Sequence, residues 1–277
     1  MFERVGQVLP SSRRLNARVL GSGEQTLVLV HGFGCDQQIW QKLIPRLQLL
    51  PVKLVLLDLP GCGNSQISEE AIPEYPTLQA FADDLLALLA ELELSSVILL
   101  GHSVGSAIGM LAAIQAPQRF RHILAITPSA RYQNAAPDYI GGFEAADIEQ
   151  LLQLMEQNQF GWAGILAPQV LAQTESSAVT EQLTQSFLHN NPAFSRHFAR
   201  LVFYADIRSS LPLVPVPVSI FYTQADMIVP QQAIDYLIAH LPQVRAIPLA
   251  ARGHYPQLTH PDLVAQQLMR ELGYGLV

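Results

Sequence analysis

The most constraining feature of the chain is the pentapeptide Gly-His-Ser-Val-Gly at residues 101–105, because of what stands on either side of it. An apolar run with β character precedes it at 96–100, and small, helix-compatible residues follow it at 106–113. In this setting the G-x-S-x-G pattern predicts a strand–turn–helix nucleophile elbow, which exposes the Ser103 hydroxyl above a sheet on a strained turn. The alternative is a glycine-rich turn that merely ends a strand.

Strand and helix patterns alternate along much of the chain. The predicted helices lie at 39–49 and 78–92 and after the elbow, and the predicted strands lie at 26–30, 53–58, 96–100, 122–127, 216–222 and 244–249. Continuous apolar runs of this kind are typical of strands buried on both faces of a parallel sheet. The alternation requires right-handed crossovers, so it predicts an α/β fold with a mostly parallel sheet flanked by helices.

The alternation stops between residues 129 and 211, where no strand pattern occurs. Four helices are predicted in this stretch, at 144–158, 162–172, 180–188 and 192–204. We interpret the stretch as a helical cap inserted over the carboxyl edge of the sheet, where open α/β sheets bind their ligands. The predicted units are therefore a core of residues 1–128 and 212–277 and an inserted cap of residues 129–211.

Composition excludes several classes of function. Of 277 residues, 49% are hydrophobic and 14% charged, and the net charge is -7, so a large core is expected and disorder is not. No basic stripe is present, which argues against nucleic-acid binding. No apolar run reaches the about 18 residues of a membrane span. The two cysteines and the absence of a signal-peptide pattern at residues 1–7 favour a reducing, cytoplasmic location.

The order of three polar residues supports the elbow interpretation. A serine nucleophile needs a base within hydrogen-bond reach, and the base needs an orienting carboxylate. In the α/β-hydrolase fold the chain order is serine, acid, histidine, with the acid and the histidine each following a late strand. Asp226 follows the strand predicted at 216–222, and His254 follows the strand predicted at 244–249. The sequence therefore predicts a Ser103–His254–Asp226 triad.

Acyl transfer also needs hydrogen-bond donors for the oxyanion. The fold predicts that these are the backbone N–H of Val104, after the nucleophile, and that of Phe33, in the turn after the first buried strand. Among the remaining polar residues, His31 and Asp58 are interpreted as structural, and His260 as a helix cap. No cluster has metal-ligand spacing, so neither a metal nor a cofactor is predicted.

Several longer motifs resemble those of the RsbQ-like α/β hydrolases and the plant karrikin and strigolactone receptors. They are GFGCDQ at 32–37, GHSVG at 101–105, GGFE at 141–144 and ARGH at 251–254, together with the cap motifs PSARYQN at 128–134, GWA at 161–163 and DIR at 206–208. The resemblance covers nearly the whole chain from Gly21. It implies a V-shaped four-helix cap over an apolar pocket with Ser103 at its floor.

The same resemblance implies a ligand, a lining and a partner. The ligand would be a small apolar ester or lactone, such as a butenolide. The pocket would be lined by Phe33, Phe143, Trp162 and Phe203. The partner implied by the bacterial members is a serine/threonine phosphatase in stress signalling.

Three functions stay open at this point. The first is a serine hydrolase of small apolar esters or lactones, and the second is a ligand receptor that turns over once or not at all and acts through a protein partner. The loop LPGCGNS at 59–65 reads more like that of ordinary carboxylesterases, which keeps a metabolic carboxylesterase as a third. The same triad also serves C–C bond hydrolysis and perhydrolysis. The segment before Gly21 has no assigned role.

Overall fold

A single sheet organises the chain in the computed structural model, which describes residues 9–172 and 177–274. Within these residues the sheet has seven strands in the order β1-β3-β2-β4-β5-β6-β7. The strands are β1 Arg18–Leu20, β2 Gln25–Val30, β3 Val52–Leu56, β4 Val97–His102, β5 Phe120–Ile126, β6 Val218–Thr223 and β7 Val244–Leu249. Strand β1 pairs with β3 in the antiparallel sense, and all other neighbours are parallel.

Helices cover both faces of this sheet. Those of the core are α1 Ser11–Arg14, α2 Ile44–Leu47, α3 Leu78–Glu91, α4 Val104–Gln115, α9 Gln231–His240, α10 Pro256–Thr259 and α11 Pro261–Glu271. The central strands are consequently mostly apolar, and Val28, Leu99 and Leu124 are fully buried. Burying one such side chain stabilises the fold by about 1.5–3 kcal/mol. The predicted fold class, a mostly parallel sheet flanked by helices, is confirmed.

The described part of the segment between β5 and β6 contains four α-helices and, after them, a 3-10 helix at Arg208–Leu213. The α-helices are α5 Ala145–Gln157, α6 Gln159–Val170, α7 Ala178–His189 and α8 Pro192–Tyr204. The two connections to the core run side by side: the Ile207 N–H donates to the Ala130 carbonyl at 2.9 Å, and Arg131 forms a β-bridge with Asp206. Asp206 also forms ion pairs with Arg131 and Arg208, at 2.6 and 2.7 Å. We call these four helices, together with the described residues that join one to the next, the cap.

The helix predicted at 39–49 is wrong in its length. A 3-10 helix spans Gln37–Trp40, started by the Asp36 carboxylate, which accepts a hydrogen bond from the Gln38 N–H. The α-helix begins only at Ile44 and ends at Leu47. Pro45 explains the break, because it has no N–H to donate to the preceding turn and fits only the first turn of a helix.

The segment before Gly21 supports the edge of the sheet. Asn16 donates its side-chain amide to Asp58 at 2.7 Å, and the Asp58 N–H donates to the Leu15 carbonyl at 2.8 Å. Residues 1–7, on which the prediction about a signal peptide rests, lie outside the described residues. Among the described helices, none combines the length and hydropathy that crossing a membrane requires.

Candidate active site

Ser103 stands at the junction of β4 and α4, in the turn that the sequence predicts. Its backbone has φ 53° and ψ -124°, a region that side chains with a Cβ rarely adopt. The neighbouring Gly105 is needed for packing, because a Cβ there would lie 2.4 Å from the Val30 carbonyl oxygen. The tight contact between α4 and the end of β2 thus holds the serine above the sheet edge.

The acid and the histidine predicted from the sequence lie next to this serine. The His254 Nε2 atom is 2.9 Å from the Ser103 Oγ atom, and the Asp226 Oδ2 atom is 2.7 Å from His254 Nδ1. The other carboxylate oxygen of Asp226 accepts hydrogen bonds from the Ile228 and Val229 N–H groups. With Nδ1–H donated to the carboxylate, Nε2 is free to accept the serine proton. The three side chains form one hydrogen-bonded chain.

Three groups hold the backbone of His254. Its carbonyl accepts hydrogen bonds from His102 Nε2 at 2.9 Å and from Thr127 Oγ1 at 3.0 Å. Its N–H donates to the carbonyl of Val170, at the end of cap helix α6, at 2.6 Å. Burial lowers the pKa of His102 well below its ordinary value, so this ring is neutral and acts as a hydrogen-bond donor. The sequence offered no partner for His102, because a backbone carbonyl 152 positions away leaves no local signal.

Of the two predicted oxyanion donors, Val104 directly follows Ser103 in sequence, and Phe33 follows a strand next to the one that ends at Ser103. Val104 is the first residue of α4, so its N–H has no partner inside the helix. Phe33 lies in the turn after β2, which pairs directly with β4. Neither of these two N–H groups donates a hydrogen bond to another of the described residues. Unpaired backbone donors beside a nucleophile are what an oxyanion hole requires.

A tyrosine that the sequence reasoning did not assign to the site contacts the nucleophile. The Tyr132 hydroxyl is 2.9 Å from Ser103 Oγ. Burial raises the pKa of this phenol, so it stays protonated and can donate its hydrogen to the serine oxygen. Tyr132 belongs to the connection that leads into the cap, where nothing in the local sequence marks it as part of the site.

A small apolar cavity of about 30 Å³ lies above Ser103. It is lined by Phe33, Ser103, Tyr132, Leu166, Val170, Phe187, Val202, Phe203, Ile228, His254 and Tyr255. Phe33 and Phe203 are among these residues, together with cap residues that the sequence did not single out. Every lining residue other than the triad members is apolar or a tyrosine, so the cavity suits an uncharged ligand.

The predicted lining residues Phe143 and Trp162 lie one layer behind the cavity wall. The Phe143 ring packs edge-on against Phe203 at 5.6 Å, and the Trp162 ring stacks on Phe187 at 5.0 Å. Phe187 and Phe203 thus stand between these two rings and the cavity. The physical reason is that Phe143, Trp162, Phe187 and Phe203 pack into one aromatic cluster together with Phe33, and of these four only Phe187 and Phe203 reach the cavity.

The other polar residues weighed from the sequence have structural contacts. Asp58 accepts hydrogen bonds from the N–H groups of Gln37 and Asn64, and His31 Nε2 accepts one from the Leu59 N–H. His260 is the N-cap residue of α11, and its carbonyl accepts the Val264 N–H at 3.1 Å, but its side chain makes no capping hydrogen bond and its Nδ1 atom contacts Thr259. In the part of the chain that the structure describes, no group of three or more potential ligands could hold a metal ion.

Comparison with known proteins gives a consistent result. A family model described as alpha/beta hydrolase fold matches residues 25–261. A karrikin insensitive 2 receptor of Petunia hybrida is 35% identical over 94% of this chain and 96% of the relative. A strigolactone esterase of Arabidopsis thaliana is 36% identical over 93% of this chain and 96% of the relative.

Among solved structures, a hydrolase from Oleispira antarctica matches with a TM-score of 0.90 and 32% identity, over 96% of this chain and 97% of that one. The match includes the cap as well as the core, since so little of either chain is left out. The resemblance to karrikin and strigolactone receptors that the motifs predict is confirmed.

Proposed function

The chain belongs to the α/β-hydrolase family, and on that basis we propose that it is a serine hydrolase that cleaves small apolar esters or lactones through an acyl-enzyme intermediate. The observation that carries the proposal is the hydrogen-bonded chain from Asp226 through His254 to Ser103, with distances of 2.7 and 2.9 Å. A serine hydroxyl held this way by a base and its orienting acid is an activated nucleophile.

The proposed reaction has two halves. Ser103 Oγ attacks the ester carbonyl carbon while its proton moves to His254 Nε2, and the Phe33 and Val104 N–H groups bind the oxyanion that forms. The tetrahedral intermediate collapses by breaking the bond to the alkoxide, which takes the proton from His254. Water then attacks the acyl-serine while its proton moves to His254 Nε2. The second tetrahedral intermediate breaks the bond to Ser103 Oγ, which takes the proton back from His254, and the carboxylic acid is released. For a lactone, both product groups stay on one molecule.

The size and the apolar lining of the cavity favour a substrate with a small, uncharged acyl group, and they bear on how the substrate enters. A volume of about 30 Å³ is far below the about 300–1,000 Å³ typical of pockets that hold drug-sized ligands. A substrate as large as a butenolide ether therefore requires the cap to move away from the core. Helices α6 and α8 supply most of the cap side of the wall, through Leu166, Val170, Val202 and Phe203.

The test is hydrolysis of a short-chain p-nitrophenyl ester series and of a butenolide by the wild type and Ser103→Ala. We expect multiple turnovers with a preference for short acyl chains, and a loss of at least about 1,000-fold in kcat for Ser103→Ala. Ser210→Ala is the matched control, since Ser210 lies outside the cavity wall. Wild-type rates in Ser103→Ala would end the proposal.

A second candidate, a ligand receptor, is favoured by the closed cavity and by the name of the Petunia hybrida relative. In this role the protein would bind or cleave its lactone once and signal through a cap rearrangement. The resemblance to RsbQ-like proteins supplies the class of partner, a serine/threonine phosphatase. A single burst that leaves an adduct on Ser103 or His254, with ligand-dependent phosphatase binding, supports the receptor. Steady turnover without any effect on partner binding supports a metabolic carboxylesterase.

The proposed location is the cytoplasm. Cys35 and Cys62 are both buried and unpaired, and burial raises the pKa of both thiols. Unpaired thiols of this kind suit a reducing compartment. Fractionation of cells that express the chain, with detection in the soluble fraction or elsewhere, tests the location directly.

A further inference from the structure

Asn190 of the cap is hydrogen-bonded to two loops of the core. It lies between α7 and α8 and is 3% exposed. Its side-chain amide donates from Nδ2 to the Gly34 carbonyl at 2.9 Å, and its Oδ1 atom accepts from the Gly63 N–H at 2.7 Å. Both polar atoms of one buried cap side chain are thus used on the core.

The first of these loops carries a proposed oxyanion donor. Gly34 directly follows Phe33, and with φ +72° it has a backbone conformation that other residues rarely adopt. Among the described residues, the Gly34 carbonyl has one other hydrogen-bond donor, the Ser186 hydroxyl at 3.5 Å, which is long for a hydrogen bond. Ser186 also belongs to the cap. The orientation of this peptide therefore depends on groups of α7 and its end.

The second loop is joined to the first from the opposite side by Asp58. The Asp58 carboxylate accepts hydrogen bonds from the N–H groups of Gln37 at 2.8 Å and Asn64 at 3.0 Å. Gly63 lies against Asp58, since a Cβ there would be 2.7 Å from its Oδ2 atom. The two loops are thus hydrogen-bonded both to the Asp58 carboxylate of the core and to the Asn190 amide of the cap.

We propose that Asn190 is a positioning residue. It fixes the loop at 31–37, which we call the oxyanion loop, so that the Phe33 N–H is correctly placed only while the cap is docked. The proposal rests on the serine hydrolase function given above. An amide is required because the Gly34 carbonyl needs a donor and the Gly63 N–H needs an acceptor on the same side chain. Asn190 itself touches neither the substrate nor the triad.

The expected signature is a loss in kcat with little change in KM. Oxyanion donors act in the transition state, and removing one lowers kcat by about 100- to 1,000-fold. Asn190→Ala leaves the donor present but loosely held, so we expect kcat to fall by about 10- to 100-fold while KM stays within about two-fold. Asn190→Asp keeps the acceptor for Gly63 but faces the Gly34 carbonyl with a carboxylate oxygen, so its kcat should fall at least as far.

The matched control is Asn191→Ala. Asn191 occupies the next position, caps α8 through the Phe194 N–H at 2.9 Å, and bonds to Glu69 at 3.0 Å. We expect this variant to lower Tm about as much as Asn190→Ala but to keep the kcat of the wild type. A purely structural role for Asn190 predicts instead that both variants keep kcat when measured on folded protein.

Two further readouts separate this proposal from the proposed function. A boronic acid that forms a tetrahedral adduct with Ser103 should bind Asn190→Ala about 10-fold more weakly than wild type. Hydrogen exchange of the amides at 31–37 should speed up in Asn190→Ala and not in Asn191→Ala, whether or not the protein hydrolyses esters. An active wild type whose Asn190→Ala variant keeps kcat and amide protection overturns the positioning role alone. A wild type without Ser103-dependent hydrolysis overturns the proposed function, with the exchange result still reporting on the loop.

Discussion

At the scale of single residues, Ser103, the proposed nucleophile, has two hydrogen-bond partners of different origin. His254 comes from the core, whereas Tyr132 comes from the connection that leads into the cap, and each places its polar atom 2.9 Å from Ser103 Oγ. When the serine hydroxyl donates to His254, its oxygen accepts from the protonated Tyr132 phenol. The phenol therefore fixes the direction in which the serine proton points.

Tyr132→Phe removes this hydrogen bond while keeping the ring that packs on Phe203 at 5.7 Å. We expect the acylation rate to fall by about 2- to 13-fold, in line with the about 0.5–1.5 kcal/mol that one such hydrogen bond contributes. Pre-steady-state burst kinetics with a p-nitrophenyl ester measures that rate. Tyr139→Phe is the control, because its hydroxyl donates to the Arg131 carbonyl and not to Ser103. An unchanged or faster burst in Tyr132→Phe would contradict this role.

The sequence allowed some of these residues to be identified and not others, for a physical reason. Ser103, Asp226 and His254 each follow a strand, and parallel strands bring their carboxyl ends to one edge of the sheet. Tyr132 and Asn190 act from the cap, whose packing on the core is set by tertiary contacts. Phe143 and Trp162 were expected in the lining from the family resemblance, and a resemblance in sequence does not say which layer of an aromatic cluster faces the cavity.

At the scale of elements, the catalytic geometry depends on how closely α4 approaches the end of β2. Gly105 makes that approach possible, as a Cβ there would lie 2.4 Å from the Val30 carbonyl oxygen and 2.5 Å from that of His31. Backbone atoms cannot move aside as the tip of a side chain can.

Elements with strong apolar periodicity, such as α3, were predictable to within a residue or two. The region 37–47 was not, because Pro45 restricts the α-helix there to a single short turn.

Gly105→Ala should therefore push α4 away from β2. We expect a loss of about 1–3 kcal/mol in the free energy of unfolding, as for other overpacked sites, together with a lower kcat from the displaced Ser103. Urea denaturation measures the first effect. The control is Gly164→Ala in α6, where a Cβ would meet no atom within 4 Å. This substitution should stabilise the helix by up to about 1 kcal/mol. Equal stability of the two variants would contradict the packing argument.

At the scale of the whole molecule, the cap and the core are joined at both catalytic loops as well as by the chain itself. The end of α6 accepts the His254 N–H, and the end of α7 contacts the oxyanion loop through Asn190. The two connections meet at Asp206, which pairs with Arg208 and Arg131. Movement of the cap therefore alters the base and the oxyanion donor together.

Asp206→Asn tests the joint between the two connections. Hydrogen bonds from the side chain and N–H of Arg208 and from Arg131 lower the pKa of Asp206 from 3.8 to about 2. A lowered pKa stabilises the folded protein above pH 3.8, and the contribution is lost as the pH falls towards 2. Since 34% of the side chain is exposed, solvent screens the pairs, and we expect only about 0.5–1 kcal/mol.

Urea denaturation of wild type and Asp206→Asn at pH 7 and near pH 2.5 measures this difference. The two proteins should differ at neutral pH and converge in acid. Asp262→Asn serves as the control, since Asp262 pairs with Arg46 but its side chain is 85% exposed, and the variant should unfold like the wild type at both pH values. A difference for Asp206→Asn that persists undiminished in acid would mean that the charge of Asp206 is not its source.

The side-by-side connections also make the cap a separable module. Because the Ile207 N–H donates directly to the Ala130 carbonyl, the cap leaves and rejoins the core at almost the same point. An insertion with adjacent ends adds little loop-closure entropy to the folding of its host. We therefore expect that a core of this kind accepts a different cap, and with it a different ligand, while Ser103, Asp226 and His254 keep their places.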